Sequence, residues 1–308
     1  MSAASGTRAI VAALAANLGI AVTKFIAYLL TQSSSMLAES IHSVADSGNQ
    51  ALLLLGGKRA RREATPEHPF GFGRERYVYA FIVAIVLFSV GGLFALYEGY
   101  HKLQHRDPIE SWHWVPVTVL IVAIGLESFS FRTAIQESNK IRGNASWVEF
   151  VRRSRVPELP VVLLEDLAAL LGLVFALFGV GLTLITHNGL WDGIATVLIG
   201  LLLVAVAVVL AIETKSLLIG ESATEDHRRA IAEAVVDGSE IDRIIHMKTL
   251  HLGPEELLVA VKVGVPSAAD AAEVARAIDA AEQRIRDAVP IARVIYIEPD
   301  IYRVPSQT

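Results

Sequence analysis

Glu39, His42 and Asp46 follow one another at spacings of three and four, which on an α-helix puts an imidazole and two carboxylates on one face. Neutral imidazole and carboxylate at i, i+4 converge on a single cation. Such N/O donor sets suit Zn²⁺ first, with Fe²⁺, Co²⁺ and Mn²⁺ also compatible. The same pair could instead form a His42–Asp46 hydrogen bond filling a buried polar pocket. A second acidic point, Glu165-Asp166, follows Pro160 within a run of Val, Leu and Ala. Adjacent helical residues point about 100° apart, so these two acids cannot face one ion equally well. Asp166 completes a set with His42 and Asp46, leaving the fourth position to Glu165 or water. The competing use of Glu165 or Asp166 is as an interfacial acid reached by water. Cysteine is absent, which excludes thiolate ligands, cysteine nucleophiles and disulfides.

The segments that carry these residues are unusually apolar. The chain has 308 residues, 53% of them hydrophobic and 19% charged, with a mean hydropathy of +0.48; soluble domains carry about 25% charge. A membrane-spanning helix needs roughly 20 apolar residues. Six runs qualify, at about 8–31, 35–56, 77–100, 113–134, 161–186 and 191–213. Asp46 then lies near the middle of the second run, where a lone carboxylate costs at least about 2.5–3.5 kcal/mol. A bound cation would offset that cost.

Lys and Arg are distributed asymmetrically over the links. The link after the second run holds Lys58, Arg59, Arg61, Arg62, Arg74 and Arg76, and that after the fourth holds Arg132, Lys140, Arg142, Arg152, Arg153 and Arg155. Thr31–Ser34 and His187–Leu190, after the first and fifth, hold none, and the third link has only Lys102 and Arg106. Positive charge stays in the cytoplasm, so both termini are expected there. The first run leads directly into further spans without a small-residue cleavage pattern, so no signal peptide is expected. Arg152-Arg153-Ser154-Arg155 reads as a patch facing anionic lipid headgroups. A net charge of -5 argues against nucleic acid as a partner.

From Thr224 onward the composition is ordinary. A helix over 224–237 with Thr224 as N-cap, strands over 244–252 and 257–265, a helix over 267–287 from Ser267, and a strand over 293–297 ended by Pro299 predict an α-β-β-α-β, two-layer domain with an antiparallel sheet. The expected architecture is a six-helix membrane domain over 1–221 and a cytoplasmic α/β domain over 222–308.

Taken together, these features resemble the cation diffusion facilitator family. The His42-x-x-x-Asp46 pair in the second of six helices, the acids early in the fifth, His68-Pro69-Phe70-Gly71-Phe72-Gly73-Arg74 in the second cytoplasmic link, and the tail pattern all carry the likeness, which covers the whole chain. The resemblance implies a homodimeric exporter of Zn²⁺ or a related divalent ion, exchanging metal for protons by alternating access. It implies His42, Asp46 and Asp166 as ligands. Val162 stands where the family's common pattern has a histidine, and the Glu165-Asp166 pair resembles the mitochondrial-type branch. Glu39, His68 and His246 are weaker metal candidates. Phe72 replaces the second histidine of the loop signature, and Ile297-Glu298-Pro299-Asp300 lacks the family's tail histidine, so the tail is expected to serve dimerisation. No prosthetic group and no enzymatic activity are expected, and the composition suggests a bacterial inner membrane. The alternatives are a non-transporting scaffold or metal sensor and, more remotely, an intramembrane hydrolase, against which the absence of Gly-x-Gly-Asp and His-Glu-x-x-His speaks.

Overall fold

Long uninterrupted helices are what the apolar runs form, because a chain in lipid must satisfy its own backbone hydrogen bonds. The structure, a computed structural model, describes residues 11–302 except 12–13, 16, 27–28, 30–33, 106–113 and 239–240, and for 34–39, 41 and 42 the backbone alone. The described helices of the first two-thirds are α1 (Asn17–Ile26), α2 (Ser34–Arg59), α3 (Glu75–Gln104), α4 (Trp114–Arg142), the short α5 (Trp147–Arg153), α6 (Glu158–Thr186) and α7 (Leu190–Ile219). Among the described residues, four of these, α3, α4, α6 and α7, are long and apolar enough to cross a membrane. The first expected span, 8–31, lies partly outside the described residues. The second, α2, is long enough, but its polar residues Ser40, Ser43, Asp46, Asn49 and Gln50 are turned into the protein.

The chain divides into two compact units, one comprising Met1–Arg59 and Glu75–Lys215, the other Ala60–Arg74 and Ser216–Thr308. In the first, Leu53, Val83, Leu87, Leu159, Val161 and Leu210 form a core to which α2, α3, α6 and α7 all contribute. Lipid tails are as apolar as leucine, so helices here associate by close packing of small residues. Gly99 and Gly200 supply such contacts. A Cβ on Gly99 would lie 2.8 Å from the backbone nitrogen of Val197, and one on Gly200 would lie 2.8 Å from that of Leu96. Gly91 and Gly92 fall in a π-helical stretch of α3, Leu87–Leu93, which brings Gly92 against Val204. Gly200→Ala is expected to cost about 1–3 kcal/mol by overpacking, since backbone cannot move aside as a side chain can. Gly125→Ala, with open space around it, should stay within about 0.5 kcal/mol. Equal thermal stability of the two variants in detergent would refute this packing account.

The second unit contains α8 (Glu225–Val236), β1 (Arg243–Gly253), β2 (Glu256–Gly264), α9 (Ala271–Ala288) and β3 (Ala292–Asp300). Thr224 caps α8, accepting from the His227 amide at 3.3 Å. Alternate β2 residues Leu257, Val259, Val261 and Val263 pack against Ile231 and Val235 of α8 and Ile285 of α9, making one core. The expected α-β-β-α-β order holds, but the sheet is mixed. β1 and β2 pair antiparallel through the tight Gly253–Glu256 connection, whereas β2 and β3 pair parallel. The reason is α9: a helix between adjacent strands returns the chain to its starting end. α9 also begins later than expected, at Asp270, whose carboxylate accepts the Glu273 amide at 2.8 Å while Glu273 accepts the Asp270 amide at 3.0 Å. This reciprocal box satisfies two otherwise orphan amides, which Ser267 does not. β3 runs through Pro299 to Asp300 rather than stopping at it. It does so as an edge strand, where a missing N–H is tolerated.

Candidate metal centre

The polar residues of α2 are spaced so that Ser43, Asp46 and Gln50 share a face, and α1, α4 and α6 close around it. Glu165 is clamped: Asn49 Nδ2 donates to its Oε1 at 2.8 Å and Gln50 Nε2 to its Oε2 at 3.0 Å. Gln50 in turn accepts from Asn17 Nδ2 at 3.3 Å, tying α1 into the network. Among the described residues, Asp166 receives a hydrogen bond from Ser130 Oγ of α4 at 2.7 Å, and its Oδ1 meets no donor. Glu127, also on α4, is 1% exposed, and its Oε1 likewise meets no donor among the described residues. Buried polar atoms are nearly always hydrogen-bonded, so two carboxylate oxygens in one region with no donor among the described residues mark a place for a proton, a water or a cation.

Asp46 and Glu127 line a small cavity of about 20 Å³ together with Lys24, Ser43 and Gly172. That is room for one water or one small ion. The charge of Asp46 acts on Glu127, Glu165 and Asp166, so the four carboxyls form one electrostatic group. Like charges this close in an apolar surround are strongly unfavourable unless protons or a cation compensate. Lys24 supplies one compensating charge. Lys24 is 3% exposed, and its Nζ donates to Ser43 Oγ at 3.0 Å. Among the described residues, no three His, Asp or Glu side chains stand close enough to grip one ion as placed.

The structure therefore brings Asp46 and Asp166 into one group, with Glu165 beside them but engaged through both oxygens. The side chains of Glu39 and His42 lie outside the described residues. Val162, one turn before Asp166, is fully buried in the apolar core and offers no donor. Asp192 stands apart, ion-paired with Lys102 at 2.8 Å. Glu127 lies in the expected fourth span, where a carboxylate either lines the pathway or bridges helices; Lys24 escaped sequence reading. Its signal was available, since it is the one charged residue between Arg8 and Glu39.

His68 and His246 belong to the other unit. His68 is exposed and its ring lies 4.7 Å from that of Phe72. Its loop is held at Gly73, where a Cβ would lie 2.9 Å from the Leu252 carbonyl. His246 is exposed on β1 directly opposite Lys262, and Lys262 faces Glu298 in the next strand. Lys262 Nζ lies 2.9 Å from Glu298 and 2.9 Å from Asp300. Asp300, then Glu298, hold the lysine's pKa above its ordinary value. The Lys262 ammonium thus pairs with the two acids beside His246.

Comparison with known proteins gives an independent view. The cation efflux transmembrane domain matches residues 10–219. Over 233 residues the chain is 36% identical to the proton-coupled zinc antiporter SLC30A9, mitochondrial, of Xenopus laevis, covering 75% of this chain and 41% of that protein. It is 29% identical over 249 residues to metal tolerance protein C4 of Arabidopsis thaliana, covering 80% and 54%. An uncharacterized transporter of Methanocaldococcus jannaschii is 22% identical over 296 residues, 95% of this chain and 97% of that one. The chain spans less than half the length of the vertebrate relative.

Proposed function

The chain belongs to the cation efflux family, a family of integral membrane transporters rather than enzymes, and on that premise we propose that it exports a divalent metal ion, Zn²⁺ foremost, in exchange for protons. The observation that supports this most is that carboxylate oxygens of Glu127 and Asp166 meet no donor among the described residues, in one electrostatic group with Asp46, which with Glu127 lines a cavity sized for a single ion. His42, Asp46 and Asp166 bind the ion, with Glu165 or water in the fourth position. Glu165 joins by exchanging one of its amide contacts for the metal. The similarity to a proton-coupled zinc antiporter points to the same ion and the same coupling.

Six helices span the membrane in this reading, α1 and α2 completing the four apolar spans. The basic links and both termini face the cytoplasm, and the host is a bacterial inner membrane. Residues 1–221 form the transport domain and 222–308 a cytoplasmic domain that dimerises two copies. The sheet face not covered by helices, bearing Leu258, Val294 and Tyr296, is available for that role. Metal enters from the cytoplasm, the helices rearrange, and the ion leaves on the opposite side. Protons drive this step because protonated imidazole and protonated carboxylate cannot ligate metal.

Purified protein in liposomes tests the proposal, with Zn²⁺, Mn²⁺, Fe²⁺ and Co²⁺ offered in competition. Zn²⁺ movement should dominate and should accelerate when the releasing side is acidified. Zn²⁺ flux indifferent to the pH gradient would refute coupling, and no flux of any of the four ions would refute transport in favour of a scaffold or sensor.

A further inference from the structure

Lys24 is an odd residue to bury beside a cation site. A lysine at membrane depth costs at least about 2.5–3.5 kcal/mol on the lenient scale, and one next to a metal-binding cavity also repels the metal. Yet its side chain is 3% exposed, its Nζ sits 3.0 Å from Ser43 Oγ, and it lines the same cavity as Asp46 and Glu127. Ser43 lies one turn from Asp46 on α2, and the lysine's charge acts directly on Glu127 of α4. It comes from α1, whereas the carboxyls come from α2, α4 and α6.

We propose that Lys24 is a tethered counter-cation of this cavity, neutralising carboxylate charge while the carrier is empty and giving way when a divalent ion enters. The proposal rests on the metal-export reading above. Lys24, Asp46 and Glu127 border the same cavity of about 20 Å³, which has room for one small ion, so ammonium and metal act on the same negative charge. Two consequences follow. Repulsion from Lys24 weakens metal binding. The carrier that returns with protons keeps a further positive partner for any acid left ionised, so its return across the membrane needs no metal on board. A lysine serving only to hold α1 against α2 would do neither.

The test uses the full chain in liposomes with Zn²⁺ as probe, comparing net Zn²⁺ uptake into metal-free vesicles with exchange of labelled for unlabelled Zn²⁺ across loaded ones. Exchange needs only the metal-bound carrier to cross, whereas net uptake also needs the empty one. Lys24→Gln should bind Zn²⁺ about tenfold tighter or more, keep exchange, and lose net uptake by about tenfold. Lys24→Arg, which retains the charge, should restore net uptake. Lys24→Met, keeping the unbranched stem, replaces the glutamine variant if that fails to fold. Unchanged affinity and net uptake in a folded, uncharged variant would overturn the proposal. So would parallel loss of exchange and net uptake, the mark of a structural role. If the unaltered protein neither exchanges nor accumulates Zn²⁺, the export reading itself fails, an outcome distinct from either result for Lys24.

Discussion

Asp46→Ala is expected to reduce metal flux by about 100-fold or more, beyond what loss of an outer-shell partner typically costs, while the protein remains folded. Asp46 lies at the centre of the electrostatic group: its charge acts on Glu127, Glu165 and Asp166 alike, and its side chain borders the cavity. Removing it takes away a ligand and also lessens the repulsion among the remaining acids. Stability should therefore change far less than transport, a combination that a purely structural carboxylate would not give. Asp46→Asn isolates the charge, since the amide keeps size and shape but binds divalent cations poorly. The assay is Zn²⁺ flux in liposomes alongside thermal unfolding of the same preparation. Near-normal flux in Asp46→Ala would remove the site; equal losses of flux and stability would make Asp46 part of the scaffold.

The largest effect on folding is expected at the pair joining α3 to α6. Arg76 grips Glu158 through a fork, Nε on Oε1 and Nη2 on Oε2, the latter at 2.8 Å. Glu158 is 3% exposed and opens α6, the helix that carries Glu165 and Asp166. Bidentate guanidinium–carboxylate pairs are strong and directional, so this one sets how α6 enters the bundle. Arg76→Leu leaves a carboxylate buried without its fork, at a cost of about 3–5 kcal/mol. Replacing both residues by leucine removes the stranded charge together with its partner, so most of that loss should return. Denaturant titration of the single and double variants measures it. Arg76→Leu unfolding at the wild-type midpoint would show that the pair contributes nothing, and a double variant no better than the single would show that packing rather than charge is at stake.

Much of this could be read directly from the order of residues. Apolar runs of spanning length are a local property, and α3, α4, α6 and α7 lie where hydropathy places them, because lipid leaves a chain no option but to bond its own backbone. The α-β-β-α-β tail was likewise legible, since helix and strand periods are written in consecutive residues, and so was the Thr224 cap. The acids Asp46, Glu165 and Asp166 announced themselves by cost alone: a carboxylate in an apolar run demands a partner wherever the run ends up.

Partnership and pairing were decided only by the tertiary structure. Nothing in the spacing of Asn49 and Gln50 says that both amides close on Glu165, 116 and 115 residues away, while the neighbouring Asp166 turns to Ser130 and keeps one oxygen bare. Glu127 and Lys24 meet at the cavity from two separate helices, a convergence with no trace in local sequence. The parallel pairing of β2 with β3 is of the same kind, for it depends on α9 carrying the chain back over the sheet. Local energies fix which segments are helix or strand and which side chains are expensive to bury. Which expensive side chains face one another depends on how helices distant in sequence pack, and that packing is chosen by core contacts such as Gly99 on Val197 and Gly200 on Leu96, remote from the charges they bring together.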